Sequence, residues 1–144
     1  MWYGEYLHSL DDKNRFVLPA KFRQLIKKHS LKKFYFTRGL DGCLFMFAEK
    51  DWQKLEDRFK SLSFTKQQAR SFNRLYFSGA YDLAPDSQGR LLIPDYLRDF
   101  AGIQKDIVII GVSDRIEIWA KGRWDKFYEQ NRKNFEEMAE NIFD

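Results

Sequence analysis

Asp11 and Arg15 stand four residues apart in Asp11-Asp12-Lys13-Asn14-Arg15, and Asp86-Ser87-Gln88-Gly89-Arg90 repeats that spacing. An aspartate there can accept main-chain N–H bonds and stiffen a turn. It can also hold the following arginine by a charge-assisted bond. Asn14 and Gly89 occupy the same place in the two segments. Both residue types tolerate positive φ, so each segment is predicted to be a tight turn with one left-handed residue. The product is an arginine projecting from a stiff loop. Its planar fork suits guanine O6/N7 or phosphate, because it donates two parallel hydrogen bonds. Lys13 lies beside Arg15, and Lys21 and Arg23 follow; the second segment has Gln88 and Asp95 in place of Lys13 and Lys21. The first segment is therefore the predicted DNA reader, with Arg15 on bases and Lys13, Lys21 and Arg23 on phosphates. The second reads as scaffold. A plainer reading stays open, in which Asp11–Arg15 and Asp86–Arg90 are ion pairs that only fix the turns.

The net charge of +4 is unevenly spread: residues 1–72 carry +7 and residues 73–144 carry −3. Lys13 to Lys33 contains eight basic residues and no acidic one. That fits a polyanionic partner, or a solubilising face. Other chemistry finds little support. His8 and His29 sit in unrelated contexts, and Cys43 is the single cysteine, read as a small buried hydrophobe in a reducing cytoplasm. There is no H-E-x-x-H, P-loop, G-x-S-x-G or zinc-type cysteine pair. No enzyme activity, cofactor, metal or small-molecule substrate is predicted. No long apolar run or secretory leader is seen, so no membrane association is expected.

The turns belong to a larger duplication. Residues 11–23 align on 86–98 at an offset of 75, each reading D-x-x-x-R, three apolar residues, Pro, two variable positions, an apolar residue and Arg. A second block aligns at offset 72, pairing Gly39 with Gly111, Ala48 with Ala120 and Trp52 with Trp124. The first copy thus has three extra residues, placed in the Lys27–Lys33 loop. Each copy is predicted to run strand, turn, strand, short helix, hairpin, longer helix. Pro19 and Pro94 are expected at first helical positions, and Gly102 as a C-cap. The hairpins are Phe34–Arg38 with Cys43–Phe47 and Ile107–Gly111 with Arg115–Trp119. Trp52, Leu55, Phe59 and Leu62 form one apolar stripe; Trp124, Phe127, Tyr128, Phe135, Met138 and Ile142 form another, for core or subunit interface. Thr65 is the expected cap of a helix through Ala69, Phe72 and Leu75. The units are residues 1–63, a connecting helix 64–77, and residues 78–144. No flexible linker divides them, so the halves are expected to pack as one body.

The two D-x-x-x-R…P…R blocks, with Gly4, Leu10, Asp11, Lys13 and Arg15 at the N-terminus and Ser78-Gly79-Ala80 before the second block, resemble the MraZ family of bacterial transcriptional regulators. The likeness spans nearly the whole chain. It implies an α+β fold with a mainly β core, a duplicated AbrB/SpoVT-like double-split β-barrel with flanking helices. It implies a homo-oligomer, a closed ring, binding G-rich direct repeats in promoter double-stranded DNA, its own included. Such a regulator, mainly a repressor, would serve the division and cell-wall gene cluster and work in the cytoplasm at the nucleoid. The motif residues carried over are Asp11, Arg15, Asp86 and Arg90. Asn14 departs from the family's usual Gly and Gln88 from its usual Lys. The competing non-enzymatic reading is a protein-interaction module or antitoxin-like partner, for which the acidic residues Glu129, Glu136, Glu137, Glu140 and Asp144 would be the contact.

Overall fold

The computed structural model describes residues 1–143; Asp144 lies outside the described residues. The chain runs β1 (Trp2–Ser9), β2 (Arg15–Val17), α1 (Ala20–Lys28), β3 (Phe34–Arg38), β4 (Leu44–Ala48), α2 (Glu49–Lys60) and α3 (Gln67–Ser78). It continues through β5 (Tyr81–Leu83), β6 (Arg90–Leu92), α4 (Asp95–Ala101), β7 (Asp106–Ser113), β8 (Arg115–Ala120) and α5 (Lys121–Asn131). A 3-10 turn (Arg132–Asn134) leads to α6 (Phe135–Phe143).

The fold is α+β around an antiparallel β core and is duplicated, as expected. Its strands form a six-stranded sheet, β1-β7-β8-β4-β3-β5, and a separate two-stranded ribbon, β2-β6. The ladders do not close on each other; sheet and ribbon clasp one core. Register shows the duplication directly. In the ribbon Phe16 faces Leu91, an offset of 75, and between the hairpins Phe45 faces Glu117, an offset of 72. Both pairings are thus centred on the residue pairs aligned in the sequence, as a pseudo-twofold axis requires. The copies also exchange strands. β1 pairs with β7, while β5 pairs with β3. Neither copy completes its sheet alone, which is why no linker separates them.

Alternation along buried strands sorts side chains to two faces. One face sends Phe34, Phe36, Leu44, Met46, Ile107, Ile109, Ile116 and Ile118 into a core shared with Phe16 and Leu91 of the ribbon and Phe22 and Leu97 of the short helices. The other carries Phe45, Phe47, Val108, Ile110 and Trp119 beneath Trp52, Tyr76, Trp124 and Phe127 of the longer helices. Cys43 is fully buried, and burial raises its thiol pKa well above the ordinary range, so it stays protonated.

Several local expectations need correction. Thr65 does not cap α3: Lys66 holds the cap position, and the Thr65 hydroxyl pairs with Ser63 at 2.7 Å. Pro19 and Pro94 sit one residue before their helices in extended backbone, where each carbonyl accepts the first helical bonds. The three extra residues of copy one are shared, because α1 has nine residues and α4 seven, with the remainder in the following loop. Gly102 is a left-handed C-cap at φ 64. Leu62, Phe135, Met138 and Ile142 are exposed, and Phe135 and Met138 line an open groove with Phe127 and Tyr128 of α5.

Candidate nucleic-acid interface

Each predicted turn is present, and the two are built alike. The Asn14 N–H donates to the Asp11 carbonyl at 3.0 Å, and the Asp11 N–H to the Arg15 carbonyl at 2.8 Å. Gly89 and Asp86 repeat this at 2.9 and 3.0 Å. Asn14 has φ 61 and Gly89 φ 77, the left-handed residue each turn needs. The Asp11 side chain then locks the loop. Its Oδ1 accepts the N–H groups of Lys13 and Arg15, both at 2.9 Å, and its Oδ2 accepts Arg15 Nε at 2.9 Å. Asp86 does the same with Gln88, Arg90 and Arg90 Nε, at 2.9, 2.9 and 2.7 Å.

The ion-pair reading and the DNA reading are therefore compatible. Each aspartate takes the Nε edge of its arginine, and no protein partner takes the Nη groups among the described residues. The side chains of Arg15 and Arg90 keep 25% and 28% of their surface, enough for the forks to reach outward. The carboxylates are held ionised. Donation from the Arg15 main-chain N–H is the largest influence lowering the Asp11 pKa, with Lys13 N–H and the Arg15 guanidinium adding to it. Asp86 is lowered first by the Arg90 N–H.

Pairing of β2 with β6 brings the turns together. Arg15 faces Leu92 and Arg90 faces Val17, while Phe16 and Leu91 between them point into the core. With a period of two, Arg15, Val17, Arg90 and Leu92 share the outward face. The two arginines are diagonal neighbours, with Cα atoms about 7–8 Å apart. Leu92 is about half exposed on that face.

The flanking basic residues fall differently from their order in the chain. Arg23 Nε donates to the Leu18 carbonyl at 3.0 Å, as Arg98 Nε does to Ile93 at 3.2 Å. Arg98 is further tied to Asp95. Arg23 lies near the second turn: a Cβ added to Gly89 would meet Arg23 Cδ at 3.9 Å. The turn that has Gln88 in place of a lysine thus receives a cation from the other copy. Lys13 and Lys21 are exposed. His8, in β1, is half-buried near Arg23 and Val17; burial lowers its pKa, so it is neutral at pH 7. His29 caps α1. The β2–β6 pairing was missed by sequence reasoning, and its one trace is the matched Arg-apolar-apolar-apolar-Pro segments.

Comparison with known proteins agrees with this architecture. The model of the MraZ protein family, described as antitoxin-like, matches residues 1–75 and again 76–144. A protein of Heliobacterium modesticaldum named "Transcriptional regulator MraZ" is 44% identical over all 144 residues and 98% of its own length. Proteins of the same name from Natranaerobius thermophilus and Desulforamulus reducens are 46% and 44% identical, with all of this chain covered and 98% and 99% of theirs.

Proposed function

The chain belongs to the MraZ family, and from that premise we propose that it is a transcriptional regulator that binds promoter double-stranded DNA through the outward face of the β2–β6 ribbon. The observation that carries the reading is the pair of arginines, Arg15 and Arg90, set on one face with no hydrogen-bond partner for their Nη groups among the described residues. A two-stranded ribbon fits the major groove, which is about 12 Å wide. Their Cα atoms, about 7–8 Å apart, match about two base-pair steps at 3.4 Å each. Arg15 reads guanine, Arg90 contributes beside it, and Leu92 offers an apolar contact of the kind a thymine methyl takes. Lys13 serves phosphate beside the first turn and Arg23 beside the second, with Lys21 on the same helix as Arg23. Asp11 and Asp86 position the arginines and touch no base.

One such ribbon contacts few base pairs, so affinity depends on phosphate contacts and on linking several copies. This favours a homo-oligomer, closed as a ring, on G-rich direct repeats about 10 bp apart, each presented on the same face of the helix. By the same reading the target is the protein's own promoter in the division and cell-wall gene cluster, it acts mainly as a repressor at the nucleoid, and residues 1–63 and 78–144 are its two units, joined by 64–77. Among the described residues no helix is long and apolar enough to cross a membrane.

Nuclease footprinting on the DNA upstream of the gene tests this. Protected G-rich segments spaced by about one helical turn support it. No protection at low salt, with a stable protein partner co-purifying, would favour the interaction-module reading instead.

A further inference from the structure

The two copies differ where the short helix meets the start of the longer one. In the second copy the chain itself closes this joint. Arg123, in the first turn of α5, donates from Nη1 to the carbonyls of Phe100 near the end of α4, at 3.1 Å, and of Gly42 in the first copy's hairpin, at 3.0 Å. Its guanidinium lies over Gly102, where an added Cβ would meet Nη2 at 2.8 Å. The first copy aligns here at an offset of 72. Ser30 matches Gly102, both left-handed, at φ 53 and 64. The Leu31 N–H donates to the Ile26 carbonyl as the Ile103 N–H does to Arg98. At that offset Arg123 falls on Asp51. A carboxylate cannot donate to helix-end carbonyls and is repelled by their negative charge. The joint therefore stays open, as a groove of about 730 Å³ between the end of α1, the loop before β3 and the start of α2.

Small-molecule sites are of this size, mostly apolar with a few polar groups. The floor here is Trp2 with half-buried Leu25 and Leu31. Lys32, Lys50 and Lys54 stand exposed on the rim, with no ion-pair partner among the described residues. Lys33 is already paired with Asp82 at 3.1 Å. Glu49 and Asp51 also line the groove, but both lie in the first turn of α2, whose positive end offsets them. We propose that the groove binds a small amphipathic anion, a carboxylate or phosphate monoester on an aliphatic chain. The chain lies on the Trp2–Leu25–Leu31 floor and the acid sits among Lys32, Lys50 and Lys54. A simple inorganic anion would gain only exposed lysines, which are worth little alone. A nucleic acid would use the lysines and leave the floor uncovered.

Calorimetric titration of the full chain with decanoate and with decyl phosphate, each below its micelle concentration, tests this. Both should bind saturably, and binding of one alone would fix the head group. Decyltrimethylammonium should bind roughly tenfold more weakly or worse, and inorganic phosphate should give no detectable heat. Lys50→Glu/Lys54→Glu should weaken the anions by a similar factor. Asp51→Arg should also weaken them although it adds positive charge, because it supplies the arginine that closes the joint in the second copy. Ile142→Ser, on the exposed stripe of α6, should change nothing. Each variant is first checked for wild-type melting. No saturable binding of either anion, equal binding of the cation, or tighter anion binding by Asp51→Arg overturns the proposal. Binding lost in Ile142→Ser but kept in the rim variant would place the contact on α6 and overturn it too.

Discussion

Gly89→Ala should destabilise the protein by about 1 kcal/mol, through backbone strain. Gly89 has φ 77, and a Cβ there meets only Arg23 Cδ at 3.9 Å, ordinary van der Waals contact. Steric overlap is therefore not part of the cost. What remains is the left-handed conformation, roughly 1–2 kcal/mol for an L-residue other than glycine or asparagine. Alanine also narrows the unfolded ensemble, which offsets about 0.4–1 kcal/mol. For a chain of this size the difference lowers Tm by about 2–4 °C. Gly89→Asn should cost clearly less, because Asn14 already holds the equivalent conformation at φ 61 in the first copy. Asn14→Gly should likewise be nearly neutral, and Asn14→Ala should resemble Gly89→Ala. Thermal unfolding followed by circular dichroism reads these differences, at one fixed protein concentration, since the proposed self-association would make Tm concentration-dependent. Alanine and asparagine costing the same at position 89, or alanine costing nothing, would refute the equivalence of the two turns.

Acid should act on the same turns. The Asp11 and Asp86 pKa values are lowered by folding, so their contribution is fully present above the unfolded carboxylate value of 3.8 and is lost as pH falls through the folded values. A pH titration by amide spectroscopy should show the turn signals steady from neutral pH to mildly acidic pH and shifting only below that range; a transition near neutrality would be inconsistent. Lys13→Ala and Lys21→Ala should each reduce the slope of log affinity against log salt by about 1, measured by fluorescence anisotropy on duplex DNA, and unchanged slopes would remove these lysines from the phosphate contacts. Leu91→Ala, at the centre of the ribbon and fully buried, should cost about 2–5 kcal/mol in urea unfolding; a cost below 1 kcal/mol would show that the ribbon does not share the core.

The turns were legible because their chemistry is local. Asp11 to Arg15 and Asp86 to Arg90 each close within five residues, so residue type and spacing determine the loop. The hairpins were legible for the same reason. Exchange of strands between copies was not. β2, β5 and β6 are three residues each, too short for alternation to register, and their partners are about 45 to 75 residues away. That pairing sets both arginines on one face and brings Arg23 near the second turn, a proximity across the copies that order along the chain does not show. The exposure of α6 was also beyond reach, since the apolar stripe was readable but not whether its own chain would cover it.

The most direct measurement is an anisotropy titration of duplex DNA protected in the upstream footprint with the wild type, Arg15→Ala and Arg15→Lys, each checked for unchanged mass and melting. If the fork of Arg15 reads guanine, alanine removes the discrimination between specific and scrambled DNA, a loss of about 1–3 kcal/mol per contact. Lysine then restores charge and part of the total affinity without the full discrimination. Specific affinity unchanged in Arg15→Ala would contradict the account.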